Sequence, residues 1–320
     1  MIWPPRPLPD GGRNGDEIVV ALINNMSPRS MRTTEQQFRD LLDAAAGDSA
    51  VRLRLFTIHE DRRIGPAQTA ERDAYQSLEA LWQTRPDGMI VTGMEPTAGK
   101  LSDEPAWMNL TKLINWATFR GIPTVWSCLA AHAAVLYLDD VDRVPLPRKL
   151  SGLFSCTLAV PDHPLAAGFP TRWLCPHSRH NGLPEDALRA RGYEIISASD
   201  EAGVDMFIRD HGAPFLFCQG HPEYGPDVLM REYIRDLKRY LDGERDAPAD
   251  VPARYVDAGT ESRLRAIRES APRLQGTDVL ARTQEVARSA VYIAGWRPVA
   301  VEVYRNWLAL IAAHRREMAA

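Results

Sequence analysis

A thiol that opens a helix, and a histidine two residues ahead of a carboxylate, are the chemically suggestive features of this sequence. Cys128 follows the apolar run Thr124-Val125-Trp126-Ser127 and precedes Leu129-Ala130-Ala131-His132-Ala133-Ala134. A cysteine between a buried strand and a helix sits at the positive end of the helix dipole, which favours thiolate, and the Leu129 amide then faces any oxyanion formed on attack. Elbows of this kind usually carry glycine on either side of the nucleophile, and Trp126 and Ala130 stand there instead. The second feature, Gly220-His221-Pro222-Glu223-Tyr224, directly follows the apolar run Phe215 to Cys218. His221 can serve as a base whose imidazole Glu223 orients. Each feature alone has an inert reading, a buried structural cysteine and a surface loop with a capping glutamate. Together they form the arrangement of a cysteine-nucleophile acyl-transfer site.

Elements able to place these residues are legible in the hydrophobic pattern. Ile18 to Ile23 is a continuous β-branched run, the mark of a strand covered on both faces. Thr34-Glu35-Gln36-Gln37-Phe38 into Leu41-Leu42 reads as a capped helix, and Val51 to Ile58 as a second strand. A helix is expected over roughly 70–83, a strand at Gly88 to Gly93, and a helix from Trp107 closed by Gly121-Ile122-Pro123. Strands alternating with helices predict an α/β fold, a doubly wound and mostly parallel sheet. Function in such sheets collects at the carboxyl ends of the strands. Leu150 to Val160, Tyr193 to Ala198, Met206 to Arg209 and Phe215 to Cys218 read as shorter strands of an antiparallel extension. A helix at 226–241, a charged connector at 242–250, a helical stretch over 260–292 and a final helix from Val299 to His314 complete the chain. The expected division is a flexible N-terminal segment, 1–16, a main domain, 17–241, and a connector with a helical C-terminal extension packing on the core, 242–320.

Composition narrows the function classes. Lys plus Arg at 38 against Asp plus Glu at 42 leaves a net charge of −4 without charge blocks, so neither nucleic acid nor an anionic membrane is an expected partner. The four cysteines lie far apart with no CxxC pair, which suits free thiols in a reducing compartment. The opening residues MIWPPRPLPDGGRNGDE lack the apolar run of a secretory signal. A cytoplasmic protein is therefore expected. Cys175, His177 and His180 show no fourth ligand, so no metal is expected. No glycine-rich dinucleotide or nucleotide-phosphate loop occurs, so no such cofactor is expected either.

Class I glutamine amidotransferases share the Cys and His-Pro-Glu arrangement, but the sequence more closely resembles the homoserine O-acyltransferases, the succinyl and acetyl transferases of methionine biosynthesis. The resemblance rests on Ile23-Asn24-Asn25-Met26 with Thr34 to Phe38, Asp87 to Gly93, Lys149-Leu150-Ser151-Gly152, Pro176-His177-Ser178-Arg179, Gly220 to Tyr224, Arg235-Asp236 and Asn306-Trp307-Leu308, all in family order. It implies a class I glutamine amidotransferase-like fold and an enzyme carrying an acyl group from acyl-CoA to a hydroxy amino acid.

Residue by residue, the resemblance makes Cys128 the nucleophile, His221 the general base and Glu223 its orienting partner. Lys149 and Ser178 would line the thioester and substrate pocket, and Arg235 would hold the amino-acid carboxylate. Thr97 stands at the family position that separates succinyl from acetyl donors, where Glu or Gly is usual. Lacking a negative charge to repel a succinyl carboxylate, it leans toward succinyl-CoA, with acetyl-CoA left open. The loop Met94-Glu95-Pro96 and a helical insertion near 260–285 also depart from the family, which leaves homoserine or another hydroxy amino acid as acceptor. No cofactor beyond acyl-CoA as co-substrate is implied, and a homodimer is expected. The other readings are an amidotransferase-like hydrolase and a non-catalytic binding member of the fold.

Overall fold

The structure, a computed structural model, describes residues 17–59 and 75–319. The expected flexible segment 1–16 lies outside these residues. One ten-stranded sheet organises the rest. Its strands are β1 (Ile18–Ile23), β2 (Val51–Phe56), β3 (Tyr75–Gln76), β4 (Gly88–Val91), β5 (Thr124–Ser127), β6 (Val144–Leu158), β7 (Arg172–Gly182), β8 (Glu194–Ser199), β9 (Gly203–Asp210) and β10 (Pro214–Cys218), in the spatial order β3-β2-β1-β4-β5-β10-β9-β8-β6-β7. From β3 to β10 every pairing is parallel, and from β10 to β7 every pairing is antiparallel. The strand order reverses direction between β1 and β4. The crevice at that switch point is where such sheets receive ligands.

Alternation along the strands divides the interior into two cores. On one face Ile18, Val20 and Leu22 pack with Phe38 and Leu41 of helix α1 (Pro28–Ala46). Leu229, Tyr233 and Leu237 of a later helix, Val228–Leu241, join them, as do Tyr304, Trp307 and Ile311 of the last helix, Arg297–Ala319. On the other face Ala21 and Ile23 pack with Leu110, Leu113 and Ile114 of Trp107–Arg120 and with Ala130, Ala131 and Ala134 of Leu129–Asp139. Numbered in chain order, the helices are α1, α2 (Leu78–Trp82), α3 (Trp107–Arg120), α4 (Leu129–Asp139), α5 (Glu185–Ala190), α6 (Val228–Leu241), α7 (Ala258–Ser270), α8 (Gly276–Arg288) and α9 (Arg297–Ala319). No helix among the described residues is long and apolar enough to cross a membrane.

Several elements differ from the sequence expectation. Helix α1 begins at Pro28, not near Thr34, because proline is pre-set for the first helical position, and Thr34 is a buried mid-helix residue. Of the helix expected over 70–83, residues 70–74 lie outside the described part. Tyr75–Gln76 instead pairs with β2, leaving only Leu78–Trp82 helical. The antiparallel strands are longer than expected, and β7, which carries Pro176, was not expected as a strand at all. Proline is tolerated there because β7 is the edge strand of the sheet. The 260–292 stretch is two helices, interrupted by a 3₁₀ turn at Ala271–Arg273 that contains Pro272. The connector joins the sheet margin, with the Ala253 amide donating to Ser151 O at 2.9 Å and the Leu153 amide to Ala253 O at 2.9 Å.

Candidate active site

Cys128 occupies the one-residue turn between β5 and α4 with φ 51° and ψ −113°. A side chain other than glycine in that region is strained, and the strain lifts the sulfur out of the sheet onto the first turn of the helix. The turn is pinned because the Cys128 amide donates to Cys218 O of β10 at 2.7 Å. Cys128 is half-buried, whereas Cys156, Cys175 and Cys218 are buried. The leading amides of α4 have no intrahelical acceptors, so Leu129 N–H is positioned to meet negative charge forming beside the sulfur. Gly93, just past β4, closes on this turn. A methyl group there would lie 3.2 Å from Leu129 N and 3.4 Å from Cys128 Cβ.

The loop carrying His221 leaves β10, the strand paired with β5. Its His221 amide donates to Pro176 O of β7 at 2.8 Å, fixing the loop to the edge strand. His221 Nδ1 lies 2.9 Å from Glu223 Oε1, both residues being buried. Tyr224 stacks on the His221 ring at 4.2 Å between centroids, and its carbonyl accepts from Trp296 Nε1 at 3.1 Å. Burial alone would push the imidazole toward neutrality. The Glu223 carboxylate and Cys128 outweigh it and hold the His221 pKa well above its ordinary range. At neutral pH the geometry therefore favours an imidazolium sharing its charge with Glu223 and the thiol.

Of the remaining expected residues, Ser178 lies on β7, half-buried and opposite Ser151 of β6. Lys149 and Arg235 converge on one carboxylate that sequence reasoning did not single out. Asp236 is 1% exposed and accepts from Lys149 Nζ at 2.7 Å and from Arg235 Nε at 3.0 Å, with Arg245 Nη2 3.6 Å away. Three cations from β6, α6 and the connector thus share one anion, and Glu232, 3.9 Å from Arg235, adds a further negative charge to that guanidinium. Part of the Arg235 guanidinium stays open, its side chain being 41% exposed. Glu95, the extra carboxylate of the substrate loop, is clasped by both terminal nitrogens of Arg239, and that hydrogen bonding holds its pKa below the usual range. Thr97 is exposed on the same loop. Its amide and its hydroxyl each donate to the buried Glu104 at 2.8 Å, so the hydroxyl is already committed.

The structure also gathers Cys156, Cys175, His177 and Asp205 into one buried group whose ligating atoms lie within 4.8 Å of one another. Sequence inspection had paired Cys175 and His177 with His180, which is exposed on the opposite side of β7. The donor set would suit a soft cation, but the hydrogen bonding does not present it as one. Arg179 Nε donates to His177 Nδ1 at 3.3 Å, which leaves the ring hydrogen on Nε2, 3.4 Å from Asp205 Oδ1. No imidazole lone pair then faces the centre. Gly220 fits against this group because any Cβ there would come within 2.5 Å of Asp205 Oδ1 and 2.6 Å of Cys175 Sγ.

A family profile described as homoserine O-succinyltransferase matches residues 12–317. The homoserine O-succinyltransferase of Methylorubrum extorquens is 45% identical, over 92% of this chain and 87% of its own length. That of Rhodopseudomonas palustris is 41% identical over 95% and 91%. Among solved structures, a glutamine amidotransferase from Methylobacillus flagellatus superposes with a TM-score of 0.51 over 92% of this chain and 95% of its own, at 14% identity, a likeness of fold alone.

Proposed function

Because this chain belongs to the homoserine O-succinyltransferase family, we propose that it transfers a succinyl group from succinyl-CoA to the side-chain hydroxyl of homoserine, in methionine biosynthesis, through a thioester on Cys128. The observation that carries this reading is the strained Cys128 turn facing the His221–Glu223 pair at the end of the parallel sheet. An acyltransferase needs an activated nucleophile, and a cysteine at a helix N-terminus beside a His–Glu pair supplies one.

The sequence of events follows from these groups. The Cys128 thiolate adds to the thioester carbonyl, and the oxyanion forms against the Leu129 amide. Collapse breaks the bond to the CoA sulfur, which takes the proton from the His221 imidazolium and departs as free CoA. His221, now neutral, accepts the proton of the homoserine hydroxyl as its oxygen attacks the acyl-Cys128 carbonyl. Cys128 leaves as thiolate, the imidazolium is restored, and O-succinylhomoserine is released. Glu223 keeps the ring in register and stabilises its charged form throughout.

The open part of Arg235 suits the homoserine carboxylate, since a guanidinium pairs with a carboxylate through two parallel hydrogen bonds. Lys149, anchored on Asp236, and Ser178 on β7 supply the polar wall of the same pocket. Thr97 borders the donor side, its loop braced by Glu104, and no carboxylate projects from position 97 against a succinyl tail. We take acyl-CoA to be a co-substrate with no further cofactor, and the enzyme to act in the cytoplasm as a homodimer. The four free thiols fit that compartment.

Intact mass after incubation with succinyl-CoA alone tests the reading. One succinyl group on Cys128, released by homoserine with formation of the ester, is the expected result. An unmodified chain, or glutamine hydrolysis by the same cysteine, overturns it.

A further inference from the structure

His221 must give a proton to one group and take it from another within the same cycle, so the direction of its ring matters as much as its charge. One bond cannot fix that direction. Glu223 Oε1, 2.9 Å from Nδ1, holds a single ring atom and leaves the imidazole free to swing about that contact. Tyr224 supplies the missing restraint, since its ring lies face to face with the imidazole at 4.2 Å between centroids and 16° between planes. A contact at Nδ1 and a covered face together leave one direction for Nε2, the nitrogen left to move protons.

Tyr224 is itself tied at every polar group. Its amide donates to His221 O at 3.1 Å, its phenol donates to Glu232 Oε1 of α6 at 3.1 Å, and its carbonyl accepts from Trp296 Nε1 at 3.1 Å. Burial pushes the phenol pKa up, which keeps it protonated as the donor to Glu232. Trp296 is buried in the segment that joins α8 to α9, 72 residues further along the chain. The indole N–H groups of Trp126 and Trp307, buried as well, have no partner among the described residues, so the bond from Trp296 is not one that every buried indole of this fold makes. It is directed at the backbone of the residue that stacks on the histidine.

We propose that Tyr224 is the positioning residue that sets the plane of the His221 ring, and that Trp296 holds Tyr224 in place from the far end of the chain. The inference rests on the acyl-transfer reading for the use made of the ring, and on the stack and its three anchors for its substance. An aromatic face carries negative charge in its π cloud, so the stack also favours an imidazolium over a neutral imidazole. The other groups facing this site are Glu223 in the same loop, Cys128 from the turn between β5 and α4, and His177 of β7, which burial keeps neutral. Tyr304 of α9 faces Glu223, and Glu232 of α6 is reached through the Tyr224 phenol.

The test is a pH titration of His221 by proton–nitrogen NMR in the full chain, with its signals identified by their loss in His221→Gln, for wild type, Tyr224→Leu, Tyr224→Phe and Trp296→Phe. Tyr224→Leu and Tyr224→Phe both lose the phenol and free Glu232, so the difference between them reports the aromatic face alone. The His221 midpoint of Tyr224→Leu should lie about half a pH unit below that of Tyr224→Phe, about threefold in the ratio of imidazolium to imidazole. Its succinyl-CoA burst should be about tenfold slower than that of Tyr224→Phe, with KM for homoserine within about twofold. Trp296→Phe removes only the indole N–H and should lower the midpoint from that of wild type by about 0.2 unit. A residue that merely filled space would not separate leucine from phenylalanine in a titration. Equal midpoints for folded Tyr224→Leu and Tyr224→Phe, or bursts within threefold of each other, overturn the proposal. If Tyr224→Leu does not fold, Trp296→Phe decides it: a downward move supports the proposal, and no move or an upward one overturns it. The titration needs neither CoA nor homoserine, so a chain that gains no succinyl group would sink the functional reading and leave the midpoints to decide this one.

Discussion

Replacing Glu223 by glutamine removes one charge and almost no volume. Glu223 Oε1 sits 2.9 Å from His221 Nδ1, and Oε2 has no hydrogen-bond partner among the described residues. The carboxylate is thus buried with the imidazole as its main compensation. Losing the charged half of such a bond costs roughly 1.5–3 kcal/mol, which predicts acylation slowed roughly 10- to 150-fold. A glutamine oxygen can still accept from Nδ1–H but brings no charge, and a glutamine amide facing Nδ1 would reverse the tautomer. Both outcomes leave less imidazolium at neutral pH to protonate departing CoA. Glu223 is one of the groups that raise the His221 pKa, so its loss lets the imidazolium deprotonate at lower pH, and the alkaline limb of the rate should move down the pH scale. The assay is the rapid-mixing burst of CoA thiol from succinyl-CoA without homoserine, followed across pH, with KM for homoserine measured separately. A burst within threefold of wild type with an unmoved alkaline limb refutes the orienting role. A change confined to KM would make Glu223 a binding residue instead.

Asp236→Asn leaves Lys149, Arg235 and Arg245 without their shared anion, so KM for homoserine should rise at least tenfold while the succinyl-Cys128 adduct still forms. Failure of the adduct itself would show that this cluster serves the CoA half of the reaction. Gly93→Ala places a methyl 3.2 Å from Leu129 N and 3.3 Å from Ser127 O, tighter than ordinary contact. It should cut kcat at least tenfold with the thermal midpoint shifted by only a few degrees, and wild-type turnover would remove the Leu129 amide from the oxyanion site. Buried His132, hydrogen-bonded to Gln219 at 3.0 Å, has its pKa pushed down by burial to about 3 from an unfolded value near 6.5. The unfolded chain therefore takes up this proton first, and stability falls as pH drops below 6.5. Between pH 6.5 and 5 the loss is about 2 kcal/mol from this group. Denaturant titrations of His132→Gln should show a shallower slope over that interval, and an unchanged slope would mean that His132 is not held neutral.

The parallel half of the sheet was readable because strands covered on both faces announce themselves as unbroken apolar runs, as at Ile18 to Ile23. Cys128 and His221 were readable for the same reason, since their placement follows from the strands that end beside them. The antiparallel margin was harder. β7 carries Pro176, His177, Arg179 and His180, a composition that suggests a loop, and only its position at the sheet edge with β6 alongside makes it a strand. Helix α1 begins earlier than its apparent cap because Thr34-Glu35-Gln36 resembles a start signal, while Pro28 supplies a better one one and a half turns upstream.

What the chain order hides is which charges meet. Lys149 and Asp236 are 87 residues apart, and Glu95 and Arg239 are 144 apart. One pair joins β6 to α6 and the other joins the 93–104 loop to α6, and no local spacing rule links them. Asp205 offered a signal that went unread: a carboxylate inside the run Gly203-Val204-Asp205-Met206-Phe207 belongs to a buried strand, and a buried carboxylate requires donors. Following that requirement leads to Ser197 and His177, and through His177 to Arg179. Thr97 shows the converse. The family resemblance would make it a reader of the acyl donor, yet its hydroxyl belongs to Glu104, so its influence on donor choice is expected to come through the loop that Glu104 braces. Donor specificity is therefore expected to follow the shape of the 93–104 loop at least as much as the side chain at position 97.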